Sequence, residues 1–324
     1  MNKKRLCIKK IIACFVVLTM MFINSALLFN AYANSKDDDY LLSYLNLSSN
    51  TVEALLEVSP EEWQAYLTAY KLENNIIEIT DNDYIGSSAE VQWKSGKDEE
   101  NGATHAYVTF WAMTVMLSEK GFWQGSLSDM VKEIAAVAVA SEKPDRGILA
   151  WGVGYSDHFY DPDTGKNYLG QTSPTAKTNA AAGFMDAINN EKAKKHQAAL
   201  ESLGEALHFL QDACEPHHAS NHTGTIPTSK SAHVQFELYA EQQLQNEDII
   251  LVTEVPSSIY NYAYSHDTED LVHASAKIAK SHINSVISVN DKSKWHNTAE
   301  ACLNLSMQRS AALIYKFAKQ TGLI

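Results

Sequence analysis

Cysteine is scarce. The 324 residues hold four, and two of these, Cys7 and Cys14, lie close to the N-terminus. The two that remain, Cys214 and Cys302, cannot form a disulfide framework. Whether they pair is open, because sequence does not bring their Cα atoms together. Proline (7) and glycine (14) are also few, which excludes collagen-like and low-complexity classes. Positive charge is in deficit: 26 Lys/Arg against 39 Asp/Glu give a net of −13. That balance argues against nucleic-acid binding by counterion release, and against docking on anionic lipid by charge alone. Runs of alternating β-branched residues bounded by turn signals are missing, so no sheet is expected. Internal repeats are missing too. Past residue 33 no segment is apolar enough to cross a bilayer. What is present is 45% hydrophobic and 20% charged, a globular composition with length enough for a real core.

Residues 1–33 read as a secretory signal peptide. Lys3, Lys4, Arg5, Lys9 and Lys10 form a positive start, an apolar stretch follows, and Ala31-Tyr32-Ala33 supplies the small-x-small cleavage pattern. The apolar stretch could also span a membrane as an anchor, but the cleavage triplet and polar Asn34-Ser35-Lys36-Asp37 favour removal and secretion. Residues 34–92 differ in composition, with twelve Asp/Glu against two Lys. They read equally well as a small helical subdomain or as a removable pro-segment, with Tyr84-Ile85-Gly86-Ser87-Ser88 as an exposed linker.

Beyond Trp93 the apolar spacing is helical. Helices are predicted over residues 103–119, 126–140, 173–189, 191–212, 232–245, 268–288 and 297–320. Ser173-Pro174 is read as the N-cap and first position of the third. Residues 144–168 read instead as a loop, punctuated by Pro144, Gly147, Gly152, Gly154, Pro162 and Gly165. A loop of that length in a compact domain usually carries function. The expected fold class is therefore all-α: a single multi-helix domain over 93–324.

Twelve histidines are many, and imidazole is the commonest side-chain metal ligand. His208 and Asp212 are four apart and share one helix face. His218 follows after Pro216 ends that helix, and His233 and Glu237 make a second pair four apart. Such nitrogen and oxygen donors suit zinc, and a carboxylate can bridge two ions. Leu207, Phe209 and Leu210 surround His208 with apolar neighbours, where an uncompensated Asp is costly. His196, His217, His222, His266, His273, His282 and His296 are read as structural or surface residues.

The run Leu207-His208-Phe209-Leu210-Gln211-Asp212-Ala213-Cys214-Glu215-Pro216-His217-His218-Ala219-Ser220-Asn221 resembles the centre of the bacterial zinc-dependent phospholipase C family. So does Asp157-His158-Phe159-Tyr160-Asp161-Pro162-Asp163-Thr164-Gly165-Lys166 upstream, and the order continues through His233 and Glu237. The resemblance implies an all-α enzyme with three zinc ions. One zinc takes Asp145, His158, His208 and Asp212. A second takes His218, His233 and Glu237. The third takes His105, the bridging Asp212, and the α-amine and carbonyl of an N-terminal Trp, here Trp93. That last ligand requires residues 34–92 to be cut away by an activating protease, because an amide nitrogen has no basic lone pair for zinc.

The resemblance further implies hydrolysis of phospholipid at a membrane surface by zinc-activated water. The glycerol-side phosphodiester bond is cut, giving diacylglycerol and a phosphorylated headgroup. Asp145 is the candidate to orient or deprotonate the water, or is a ligand only. Asp157 or Asp161 could hold ligand imidazoles, although the second lies in a run that also reads as a turn. The family's choline-preferring members carry an acid where this chain has Gly96, and an aromatic where it has Arg146. Tyr155 keeps the third pocket position. Arg146 and Tyr155 are thus the headgroup candidates, and a cationic headgroup is disfavoured. A monomer is expected, without the C-terminal β-sandwich of the family's toxin-like members. The rival readings are an S1/P1-type zinc nuclease and a secreted zinc-binding protein without catalysis.

Overall fold

The computed structural model describes residues 104–121, 127–146, 152–224, 231–246 and 248–324. The leader, the acidic segment and Trp93 lie outside the described residues. Within them the chain is all-α. Eight α-helices run in the order α1 Thr104–Lys120, α2 Leu127–Ala140, α3 Ala176–Lys192, α4 His196–Asp212, α5 Ala232–Gln245, α6 Ser257–Ser265, α7 Thr268–Lys280 and α8 Trp295–Thr321. Short 3₁₀ turns occur at Pro144–Arg146, Gly152–His158, His218–Ser220 and Ile283–Ser285. The described residues contain no strand, only an isolated bridge between Asp161 and Lys166. No helix among them is long and apolar enough to cross a membrane.

One contiguous apolar core joins all eight helices. Helix α4 is its organiser. Leu200, Leu203, Leu207 and Leu210 recur at helical spacing on its buried side, and α2 and α3 pack against it. Helix α8, 27 residues long, lies against α1 and α6. Gly204 permits the closest approach: a Cβ there would stand 2.5 Å from both the Ala140 Cβ and the Val137 carbonyl oxygen of α2. Gly183 of α3 faces the Ala206 backbone of α4 in the same manner, at 3.2–3.3 Å.

Three predicted helix boundaries are corrected. The third helix starts at Ala176, not at Ser173-Pro174, because Thr175 caps it. Thr175 Oγ1 accepts the Thr178 N–H (3.2 Å), and Thr178 Oγ1 accepts the Thr175 N–H (2.8 Å). The predicted 191–212 helix divides. Helix α3 runs on to Lys192, and a turn with Lys194 at φ 60° precedes α4. Helix α7 stops at Lys280 and leaves a 3₁₀ turn where 268–288 had been one helix. The loop at 144–168 contains two 3₁₀ turns, and α6 was not anticipated.

His196 closes the α3–α4 corner. Its Nδ1 lies 2.7 Å from Glu191 Oε2, and its Nε2 lies 3.1 Å from Glu133 Oε1 on α2. The bond to Glu133, opposed by burial and reinforced by Glu191, raises the imidazole to about 9. A pKa raised above its unfolded value stabilises fully below about 6.5 and is lost as pH climbs through 9. The advantage of wild type over His196→Gln in thermal midpoint should therefore shrink from pH 6 to pH 10, followed by circular dichroism. Gly204→Ala should cost about 1–3 kcal/mol through overpacking, seen as a lower thermal midpoint at any pH.

Candidate metal centre

Three helices and three 3₁₀ turns converge on one buried cluster. Helix α1 brings His105, the last turn of α4 brings His208 and Asp212, and α5 brings His233 and Glu237. The turns carry Asp145, His158 and His218. None of these eight residues is more than 6% exposed. Local chemistry explains the approach of α5: Ser231 Oγ accepts the Val234 N–H and starts the helix two residues before His233.

Asp212 is the hub. Its Oδ2 lies 2.8 Å from His158 Nδ1 and 3.2 Å from His208 Nε2. Its Oδ1 lies 3.6 Å from His105 Nε2 and 3.7 Å from His218 Nδ1. Asp145 stands opposite, 3.5 Å from His208, 3.7 Å from His158 and 3.8 Å from His105. On the far side Glu237 Oε1 lies 2.9 Å from His233 Nε2 and 3.2 Å from His218 Nε2. Three groups of potential metal-ligand atoms result: Asp145, His158 and His208; His105, His208 and Asp212; and Glu215, His218, His233 and Glu237.

The scaffold fixes the rings. His208 Nδ1 donates to the Ser141 carbonyl (2.7 Å) and His218 Nδ1 to the His158 carbonyl (3.1 Å). His105 Nδ1 donates to Gln211 Oε1 at 2.8 Å. In each case the remaining nitrogen, Nε2, faces the cluster, the arrangement that sets a ligand tautomer. Gln211 is itself held, since its amide donates to Thr109 Oγ1 (2.8 Å) and Ser310 Oγ (3.2 Å).

Several atoms point into the cluster with no hydrogen-bond partner: His105 Nε2, both oxygens of Asp145, Asp212 Oδ1 and Glu237 Oε2. Buried donors and acceptors are normally satisfied. The electrostatics point the same way. Burial disfavours charge on His208, yet Asp212 and Asp145 outweigh it and lift the imidazole to about 10. Burial likewise opposes charge on Asp212, but His208, His218 and His158 hold its carboxyl well below the usual range. Burial raises Asp145 to about 6, with His208 and His158 opposing, and it drives Glu237 well above its ordinary value. His105 is kept neutral, first by burial and then by the nearby His208. The carboxylates that hold a proton on His208 against burial could hold a metal cation in its place. Nitrogen and oxygen donors without thiolates fit zinc.

Of the anticipated site residues the structure brings together His105, Asp145, His158, His208, Asp212, His218, His233 and Glu237. Tyr155 is buried beside them, its ring 5.6 Å from that of His158. Trp93 and the side chain of Arg146 lie outside the described residues. Asp157 reaches His158 Nε2 at 3.6 Å. Asp161 does not support an imidazole: its Oδ1 accepts the Asp163 N–H at 2.8 Å and bonds Lys280 Nζ at 2.5 Å, which locks its own turn. Cys214 and Cys302 are free and buried. Two site residues, Gln211 and Glu215, went unassigned. Only their positions inside the conspicuous 207–221 run hinted at them.

The chain belongs to the zinc-dependent phospholipase C family, whose family model matches residues 104–305. Among curated relatives, a phospholipase C of Clostridium perfringens is 26% identical over 245 residues, covering 68% of this chain and 60% of the relative. A Bacillus cereus phospholipase C is 30% identical over 138 residues, or 43% of this chain and 46% of that one. Alpha toxin from Clostridium absonum shares the fold, with a TM-score of 0.57 at 22% identity over 67% of this chain and 64% of the toxin. Clostridium perfringens alpha-toxin does so with a TM-score of 0.56 at 24% identity. The chain thus spans about 60% of the length of the first of these relatives.

Gln211→Met keeps the side-chain volume but removes the acceptor for His105. It should weaken zinc affinity by about 10–100-fold, measured by chelator competition. It should also lower the stability of the metal-free protein by about 1–3 kcal/mol, because the Thr109 and Ser310 hydroxyls lose a buried partner.

Proposed function

We propose that the chain is a secreted, monomeric zinc metallohydrolase. It cuts phospholipids on the glycerol side of the phosphate and releases diacylglycerol and a phosphorylated headgroup. The observation that carries this reading is the convergence of eight buried histidines and carboxylates, several of them with atoms lacking any hydrogen-bond partner, in a chain of this family. Zinc supplies neutralisation of phosphoryl oxygens and a lowered pKa for water.

The chain's own residues do the rest. Asp145 presents two carboxylate oxygens with no hydrogen-bond partner, and burial raises its pKa to about 6. Its carboxylate stands beside the ligand imidazoles, where it can orient water or take its proton. His208, His218 and His105 are locked by their Nδ1 donors, so they reach the reaction already oriented. Tyr155 offers a ring beside His158 as one wall for the headgroup, and Arg146 is the candidate for the other. Three zinc ions are proposed, held as Asp145, His158, His208 and Asp212; as His218, His233 and Glu237; and as His105, Asp212 and Trp93.

The same reading holds that residues 1–33 are a signal peptide and 34–92 a pro-segment. A protease that frees Trp93 creates the α-amine which completes the third ligand set. An uncut chain then lacks that set and is inactive.

The test compares the chain cut before Trp93 with the uncut chain. Each is loaded with zinc, and diacylglycerol release from phospholipid vesicles is assayed alongside nucleotide release from single-stranded DNA. Diacylglycerol release by the cut form alone, abolished by chelator and lowered at least about a hundredfold by Asp145→Asn, is the expected result. Release of nucleotides alone would make the protein an S1/P1-type nuclease. Hydrolysis of neither by the cut, loaded form would make it a non-catalytic zinc protein. Full activity of the uncut chain would overturn the pro-segment reading.

A further inference from the structure

Glu215 has no place in the three ligand sets, yet it is fully buried beside one of them. It follows the end of α4 by three residues. Its Oε1 accepts a hydrogen bond from His217 Nδ1 at 2.8 Å. Its Oε2 accepts the His218 backbone N–H at 2.8 Å and lies 4.0 Å from His233 Nε2. Glu215, His218, His233 and Glu237 each offer a ligand atom, and these four atoms lie within 4.8 Å of one another. Across this group Glu237 Oε2 has no hydrogen-bond partner.

We propose that Glu215 is a fourth protein ligand to the zinc held by His218, His233 and Glu237, with His217 as the residue that positions it. The inference rests on the metal-centre reading given above. His217 takes one oxygen of Glu215 and so leaves the other to face the His218–His233 side. The His217 ring is buried and stacks on His233, with centroids 5.0 Å apart and planes 13° apart, so both imidazoles are braced together. A carboxylate oxygen has two lone pairs, so Oε2 can accept the His218 N–H and still face an ion.

Two imidazoles and two carboxylates fill a tetrahedral zinc shell. Four protein ligands mark a closed, firmly held site, whereas three leave an open position for water or substrate. The ion between α5 and the His218 turn then shares none of its four ligands with another set. The Asp145 set also counts four residues, but one of them, Asp212, is divided with the His105 set.

Glu215→Gln tests this, because the amide oxygen still accepts the His218 N–H, the NH2 can donate to His217 Nδ1 in its other tautomer, and the charge that binds zinc is removed. Bound zinc per chain is measured against buffered free zinc for wild type, Glu215→Gln and Glu237→Gln. Thermal unfolding of each metal-free protein is followed in parallel. The expected result is that one bound ion, the same one that Glu237→Gln loses, weakens at least about tenfold in Glu215→Gln, with the metal-free midpoint close to that of wild type. Wild-type zinc affinity in Glu215→Gln, with the ion lost in Glu237→Gln, would overturn the proposal and leave the metal centre standing. Wild-type affinity in both variants would overturn the metal-centre reading itself. If Glu215→Gln lacks native circular dichroism, Glu215→Asp shortens the arm by one methylene and is judged by the same criteria.

Discussion

The burial of four carboxylates and six imidazoles among apolar helices is the constraint to which the rest of the structure answers. Asp145, Asp212, Glu215 and Glu237 sit with His105, His158, His208, His217, His218 and His233, and all ten are buried. Any one of these carboxylates alone in such surroundings would be too costly to keep ionised. Together they alternate with imidazoles, so Asp212, Glu215 and Glu237 each meet a donor, while both oxygens of Asp145 have none. The compensation is incomplete, since the cluster drags a proton onto His208 against the cost of burying it. A low-dielectric pocket with negative charge to spare is a deep well for divalent cations. Binding there displaces those protons, and its free energy adds to folding.

The cluster also dictates how the helices meet. His208 and Asp212 occupy the last turns of α4, so α4 must run through the centre with α1, α2 and α3 close around it. Gly204 and Gly183 permit that closeness where a methyl group would collide or crowd. The same closeness supplies the orienting contacts. The Ser141 carbonyl just past α2 reaches His208, and Gln211, steadied from α1 and α8, reaches His105. Packing and ring orientation are thus one design: the carbonyls and amide that fix the imidazoles come from the backbones and side chains that the small residues admit.

Much of this was legible in the sequence, and the remainder was hidden for physical reasons. The 3.6-residue apolar period announced an all-α chain, and the helix read at 232–245 is α5 with the same bounds. The α3–α4 corner was missed because its left-handed residue is Lys194, and lysine is not a turn signal. Helix α6 buries only Tyr260 and Ala263, too little to show a period. In the cluster, the paired residues four apart were visible because helical spacing alone puts them on one face. Gln211 was not, since its role depends on Thr109 and Ser310, each about a hundred positions away. Glu215 stood in plain view within the motif, but only the fold turns it back toward His233 and Glu237.

Asp212 links the two halves of the cluster. It closes α4, where the helix dipole carries partial negative charge. That polarity works against a carboxylate and in favour of any cation beside it. Its two oxygens look in different directions, Oδ2 toward His158 and His208, Oδ1 toward His105 and His218. A positive charge placed on either side therefore draws on the same carboxylate and withdraws it partly from the other. His208 belongs to two of the ligand groups at once and extends that sharing. Asp212 and His208 thus tie the groups around α4 together, while His218, His233, Glu237 and Glu215 form a group with neither residue in it.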